Sequence, residues 1–257
     1  FATLGFRLVP SPATNRAIIN RGCAAALEEP CLPIKAAHGH ILALLAQGVG
    51  HLFLPCAVNA EPAVPDAVES YLCLFVQSLP FTARAAIDLA ASRTRVLSPV
   101  LHPAWGEKIF LRQLRDLARG LGCPAALVPR AFAAAQAAQQ RFARELARSG
   151  GEALAAVPDG TPVVVVVGRP YNTCDPGLTF NIPEMLRGLG ALAVPLDMLG
   201  PVPGGDPGLR GMYWRSGQRI LAAASAVARD PRLQAVYISN FGCGPDSFIT
   251  KHFRRAM

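Results

Sequence analysis

Five consecutive valines, Val163 to Val167, constrain the fold of this chain more than any other stretch. A strand-sized run that is apolar on both faces and wholly β-branched has the pattern of a central strand in a parallel sheet. Such a strand needs cover above and below, and parallel neighbours are reached through crossover helices. The sequence after it offers both. A loop from Gly168 to Asn181 carries Pro, Asn, Asp and Gly, and helix Ile182–Leu189 and strand Leu192–Leu196 follow. A helix over about Ser216–Ala228 then leads to a strand-like run, Ala235 to Ile238, and a helix-like run, Phe248 to Met257.

The first third alternates in the same manner. Phe6–Val9 reads as a strand, Pro12–Arg21 as a helix, Pro33–Gln47 as a second helix stopped by Gly48, and His51–Leu54 as a short buried strand. Tyr71–Val76 is another short apolar run before Pro80. Glu107–Ser149 is helical with a break at Gly122-Cys123-Pro124, and Gly150-Gly151 with Pro158-Asp159-Gly160 reads as a linker. The expected fold is α/β: two Rossmann-like lobes with parallel sheets, 1–104 and 161–257, joined by a helical segment, 105–160. The chain reads as an excised piece of a larger polypeptide. The first lobe is expected to lack its amino-terminal strand, and the second its carboxy-terminal part.

Hydrophobic residues make up 51% and charged ones 16%, against about 25% charged in ordinary soluble domains. No apolar run reaches the roughly 18 residues of a membrane span. The net charge of +8 comes mainly from arginines spread along polar helix faces, without the basic patch and interleaved aromatics of a nucleic-acid surface. The apolar excess fits a partner surface, including a second copy of the chain. Seven cysteines, an odd number without a signal peptide, point to a reducing cytoplasm rather than a disulfide framework.

Chemistry concentrates where strands end. In Asn240-Phe241-Gly242-Cys243-Gly244-Pro245-Asp246, a cysteine sits between two glycines at a strand-to-helix turn, where backbone amides favour a thiolate. Cys31 lies before a helix between two prolines, and Cys73 lies in an apolar run. No pair forms Cys-x-x-Cys, which disfavours zinc-ribbon and thiol-redox sites. Cysteines from separate loops can still meet at one iron–sulfur cluster. Equally, buried cysteines are often plain core residues, the reading given to Cys23, Cys56 and Cys123.

The segments EPCLPIKAAHGH, YLCLFVQSLP, GRPYNTCDPGLTFNIPEMLRGLG and YISNFGCGPDSF, in this order, resemble the family related to 2-hydroxyacyl-CoA dehydratases and their activases. The resemblance implies a fold similar to the dehydratase subunits and a 4Fe-4S cluster held at the lobe interface by Cys31, Cys73 and Cys243. It also implies an ATP-dependent activase domain or subunit as electron donor and an acyl-CoA as the substrate of a reduction or radical dehydration. The family usually has Pro-Tyr after the second cysteine, whereas Leu74 and Phe75 follow Cys73 here. A non-catalytic scaffold domain of a larger activase polypeptide is the alternative.

Four further residues are candidate ligand contacts. Arg169 could hold a phosphate or carboxylate or pair structurally with Asp175. Asn172, in the same loop, suits a ligand contact or a turn. Lys35 and His38 share a helix face and could point at an anion near Cys31. Cys174 is a further thiolate option, and Asp246 or Ser247 is expected to cap the last helix. There is no GxGxxG and no P-loop lysine motif, so nucleotide hydrolysis would belong to an adjoining domain.

Overall fold

The valine run forms β5 (Val163–Gly168), buried along its whole length. It is central in a three-stranded parallel sheet of order β6-β5-β7, with β6 at Leu192–Pro195 and β7 at Leu233–Ile238. The register sets Val163 beside Leu192 on one side and Leu233 on the other, and the β5–β7 ladder continues until Gly168 faces Ile238. This structure is a computed structural model that describes residues 1–200 and 209–257. The chain divides into two compact units, Phe1–Glu61 with Tyr71–Gln139, and Pro62–Ser70 with Gln140–Met257.

In the second unit, α8 (Arg215–Val227) and α9 (Gly244–Ala256) cover the sheet. Ile220, Ala223, Ala224 and Val227 share one core with Val165, Val167, Ile249 and Phe253. Consecutive alanines on α8 leave no bulk between helix and sheet, so backbones approach closely and the valines are fully enclosed. Gln218, completely buried on α8, donates to the carbonyls of Met212 and Glu69 and accepts from the Ala63 amide. Those bonds hold the 62–70 segment in this unit. The short helices α6 (Pro170–Cys174) and α7 (Ile182–Gly188) carry the chain from β5 to β6.

The first unit contains α1 (Arg16–Ala25), α2 (Leu32–Ala46), β1 (His51–Phe53), β2 (Cys56–Ala57), α3 (Leu74–Ala86), β3 (Arg95–Leu97), β4 (Val100–Leu101) and α4 (Glu107–Gly120). Asn15 caps α1 by accepting from the Ala17 and Ile18 amides, so this helix begins after the cap rather than at Pro12. Helices α1 and α2 touch backbone to backbone: a Cβ on Gly22 would run into the Lys35 carbonyl, and one on Gly39 into that of Ile18. The parallel pairs β1–β3 and β2–β4 are short. Ile41, Leu52, Leu54, Ala83, Ile87 and Leu89 form this unit's core. The long helix α5 (Val128–Ala155) carries the chain from the first unit into the second.

The α/β class with parallel strands agrees with the sequence expectation, and two local expectations, the Phe6–Val9 strand and the Gly150-Gly151 linker, do not hold. Phe6–Val9 joins no sheet among the described residues. Tyr71 makes only an isolated bridge to Asn59, and the apolar run after it opens α3, which accommodates Pro80 in its interior with the loss of one helical hydrogen bond. Gly150 and Gly151 lie within α5. Gly150 serves close packing, since a Cβ there would run into the Met198 carbonyl.

Candidate functional site

Strands β5 and β7 end side by side, so the residues that follow them become neighbours. After β5 comes Arg169, and after β7 comes the turn Ser239–Cys243, with Gly242 at a φ of 76° that favours glycine. Cys243 is the N-cap residue of α9. Arg169 donates from Nε and Nη2 to Asp246 Oδ1 at 3.0 and 2.8 Å, and Ser239 Oγ donates to Oδ2 at 3.1 Å. Both members of the pair are buried, with side-chain exposures of 5% and 0%. Burial opposes the Arg169 charge, but Tyr171 and Asp246 outweigh it and hold the guanidinium above its ordinary pKa. The partner of Arg169 is therefore Asp246 rather than Asp175, which accepts instead from the Gly177 amide within its own turn. Asp246, expected as a cap, lies inside the first turn of α9 and spends its carboxylate on Arg169 and Ser239.

Asn172 is buried beside this pair and accepts from Asn240 Nδ2 at 2.7 Å through its Oδ1. Its own Nδ2 is buried and has no hydrogen-bond partner among the described residues. The Cys243 thiol is also buried. Burial first, and then the Asp246 carboxylate, push its pKa up to about 11, against an opposing pull from Arg169. At neutral pH this sulfur carries its proton, and binding a metal there would release it. The Tyr237 hydroxyl is raised in the same direction by burial and by Asp246.

The other two cysteines share a local geometry with Cys243. Cys31 is the N-cap residue of α2 and Cys73 that of α3. None of the three side chains caps its helix, and proline occupies the first turn of α2 and α9. The free amides and dipole of a helix start pull towards negative charge at such a position, but at Cys243 burial and the Asp246 carboxylate outweigh that pull. Cys31 is buried and Cys73 half-buried. Both belong to the first unit, and Cys243 belongs to the second.

His38 and Lys35 lie on α2 behind Cys31. His38 is 2% exposed, and its Nδ1 donates to the Ile34 carbonyl at 2.8 Å. The ring lines a cavity of about 70 Å³ together with Pro30, Ile34 and Phe75. Lys35 is engaged by Glu29, whose side chain is exposed, and this bond raises the lysine pKa.

Cys174 is exposed at the end of α6, with Sγ 3.9 Å from an Asp197 oxygen. Of the three cysteines assigned to packing, Cys56 is buried, Cys123 is half-buried, and Cys23 is exposed on α1. Among the described residues, no group of three or more His, Cys, Asp or Glu side chains is gathered closely enough to hold a metal ion. No described helix is long and apolar enough to cross a membrane. Asp246, Ser239 and Asn240 were not singled out as partners of the Arg169 loop. Their partners lie 68 to 77 residues away or were hidden by a capping role, so only strand adjacency could have revealed them.

A family model described as CoA enzyme activase uncharacterised domain matches residues 1–199. No curated protein and no solved structure matches the chain.

Proposed function

The chain belongs to the family described as CoA enzyme activase uncharacterised domain, and from that membership we propose that it is an iron–sulfur protein of a CoA-enzyme activation system. Cys31, Cys73 and Cys243 would hold a 4Fe-4S cluster, and the chain would act with an ATP-dependent activase domain or subunit. The observation that carries this reading is the shared position of the three sulfurs. Each stands at the N-cap of a helix. The donor chemistry fits the group, since thiolates are the normal ligands of such clusters and helix amides lower the cost of their negative charge.

When bound, the cluster would supply low-potential one-electron chemistry. The chain's own residues do the rest. Arg169, locked by an Asp246 carboxylate that Ser239 also holds, fixes the turn that carries Cys243 and sets a positive charge near its sulfur. Asn172 and Asn240 tie the β5 and β7 loops together beside it. Burial of Cys31 and Cys243 keeps water from both sulfurs. An acyl-CoA is the proposed substrate of the system that this domain serves, and Phe241, fully exposed beside Cys243, is the proposed contact for the activase.

The test is an iron and sulfide assay of the protein purified and reconstituted without oxygen. The reading expects about four irons and four sulfides per chain, lost in Cys243→Ala. A colourless, iron-free protein would leave the non-catalytic scaffold reading in its place.

A further inference from the structure

Helix α9 turns one face to the core and another to solvent. Ile249 and Phe253 are buried in the core of the second unit, and Asp246, the only acid of the helix, is buried against Arg169. Phe248, Lys251, His252 and Arg255 are exposed. Steps of three, four and seven residues put them on one face of the helix. That face carries cations and rings and no carboxylate. Neither Lys251 nor Arg255 has an ion-pair partner among the described residues.

The rings continue beyond the helix. Phe248 meets His252 at a centroid distance of 5.9 Å and Trp214 at 5.7 Å, and Trp214 meets Tyr213 at 5.7 Å. Tyr213 and Trp214 come before α8, far from α9 in the chain, so the fold assembles a patch that sequence order conceals. Phe248 is 61% and Tyr213 42% exposed. The helix dipole accounts for a cation in the last turn of α9, but not for a row of exposed rings beside it. Contiguous exposed apolar surface rimmed by charge marks an interaction site.

The ring geometry and the charge select the occupant. Nucleobases stack on open ring faces, whereas Tyr213–Trp214 and Trp214–Phe248 pack edge to face, at interplanar angles of 86° and 71°. Aromatic side chains beside arginine are the composition of protein interfaces. Unpaired cations around them complement carboxylates. We propose that this face of α9, with Tyr213 and Trp214, docks an acidic surface of a partner protein. Carboxylates of the partner meet Lys251 and Arg255, and an apolar side chain packs on Phe248.

Tryptophan fluorescence of the iron-free full chain tests this, independently of any cluster. Trp105→Phe leaves Trp214 as the sole reporter. The probe is a synthetic helical peptide of Ala, Leu and Glu with one Glu-rich face. Titration should change the Trp214 emission, and Lys251→Glu/Arg255→Glu or Phe248→Ser should each weaken the Kd by about tenfold or more. All three sites are exposed, so urea unfolding should stay near that of the parent chain. Arg141→Glu/Arg144→Glu, the same charge change at exposed positions of α5, should keep the parent Kd. The proposal is overturned if the peptide does not bind, or if the α5 variant weakens binding as much, which would mean attraction to net charge alone. It is also overturned if a Gln-for-Glu peptide binds equally well, or if a single-stranded oligonucleotide binds more tightly through Lys251 and Arg255. Trp214 emission that changes with protein concentration alone would assign the face to a second copy and overturn it too.

Discussion

Replacing Arg169 with methionine removes the cationic partner of a carboxylate that has no exposed surface. Asp246 would keep the Ser239 bond and lose two charge-assisted bonds, those of 3.0 and 2.8 Å. Breaking a buried pair from one side costs about 3–5 kcal/mol, because the remaining charge stays desolvated. A domain's whole stability is about 5–15 kcal/mol, so Arg169→Met should bring the second unit close to unfolding. Asp246→Leu should cost a similar amount. The double variant Arg169→Met/Asp246→Leu leaves no stranded charge and should recover much of the loss, since apolar replacement of a buried pair is often close to neutral. Urea unfolding of the iron-free protein, read as a double-mutant cycle, measures this directly. Single-variant losses below about 1 kcal/mol, the range of exposed pairs, would refute the reasoning. So would purely additive losses in the double variant.

Three further outcomes follow from the geometry. Gly39→Ala should destabilise the first unit by about 1–3 kcal/mol through overpacking, because its Cβ meets the Ile18 backbone; thermal unfolding checks this. With its pKa pushed up to about 11, Cys243 in the iron-free protein should be alkylated slowly at pH 8 and faster as pH rises towards 11, as followed by peptide mass spectrometry. The sign for stability is the same: the neutral buried thiol's contribution is fully present below the ordinary thiol range of about 8.5 and is lost as pH rises through about 11. Phe241→Ser should change stability by no more than about 0.5 kcal/mol, since the residue is fully exposed, while weakening binding to the proposed activase partner in a titration.

Much of the second unit was legible because its signals are local. A run of valines apolar on both faces can only be a covered strand, and β5 is central and wholly buried. The glycines around Cys243 announced a tight strand-to-helix turn, and the residue proves to be the N-cap of α9. Long-range partners were not legible. Arg169 and Asp246 are 77 positions apart, and nothing in either loop distinguishes Asp246 from Asp175 as the acceptor. Tertiary packing also overrode local readings. Gly150 looked like a linker and is a contact point inside α5, and the apolar residues after Cys73 look strand-like in isolation but open α3. Gly39 in the Lys35–His40 segment carries no local signal either; its reason is the α1 backbone across the interface.

The central claim is that three particular sulfurs hold one cluster, and parallel anaerobic reconstitution of single Cys→Ser variants tests it most directly through visible charge-transfer absorption and iron content. The account predicts that Cys31→Ser, Cys73→Ser and Cys243→Ser each lose the cluster or leave it unstable, while Cys23→Ser, Cys56→Ser, Cys123→Ser and Cys174→Ser keep it. Full iron content in Cys243→Ser, or its loss in Cys56→Ser or Cys123→Ser in place of the proposed three, would contradict the account.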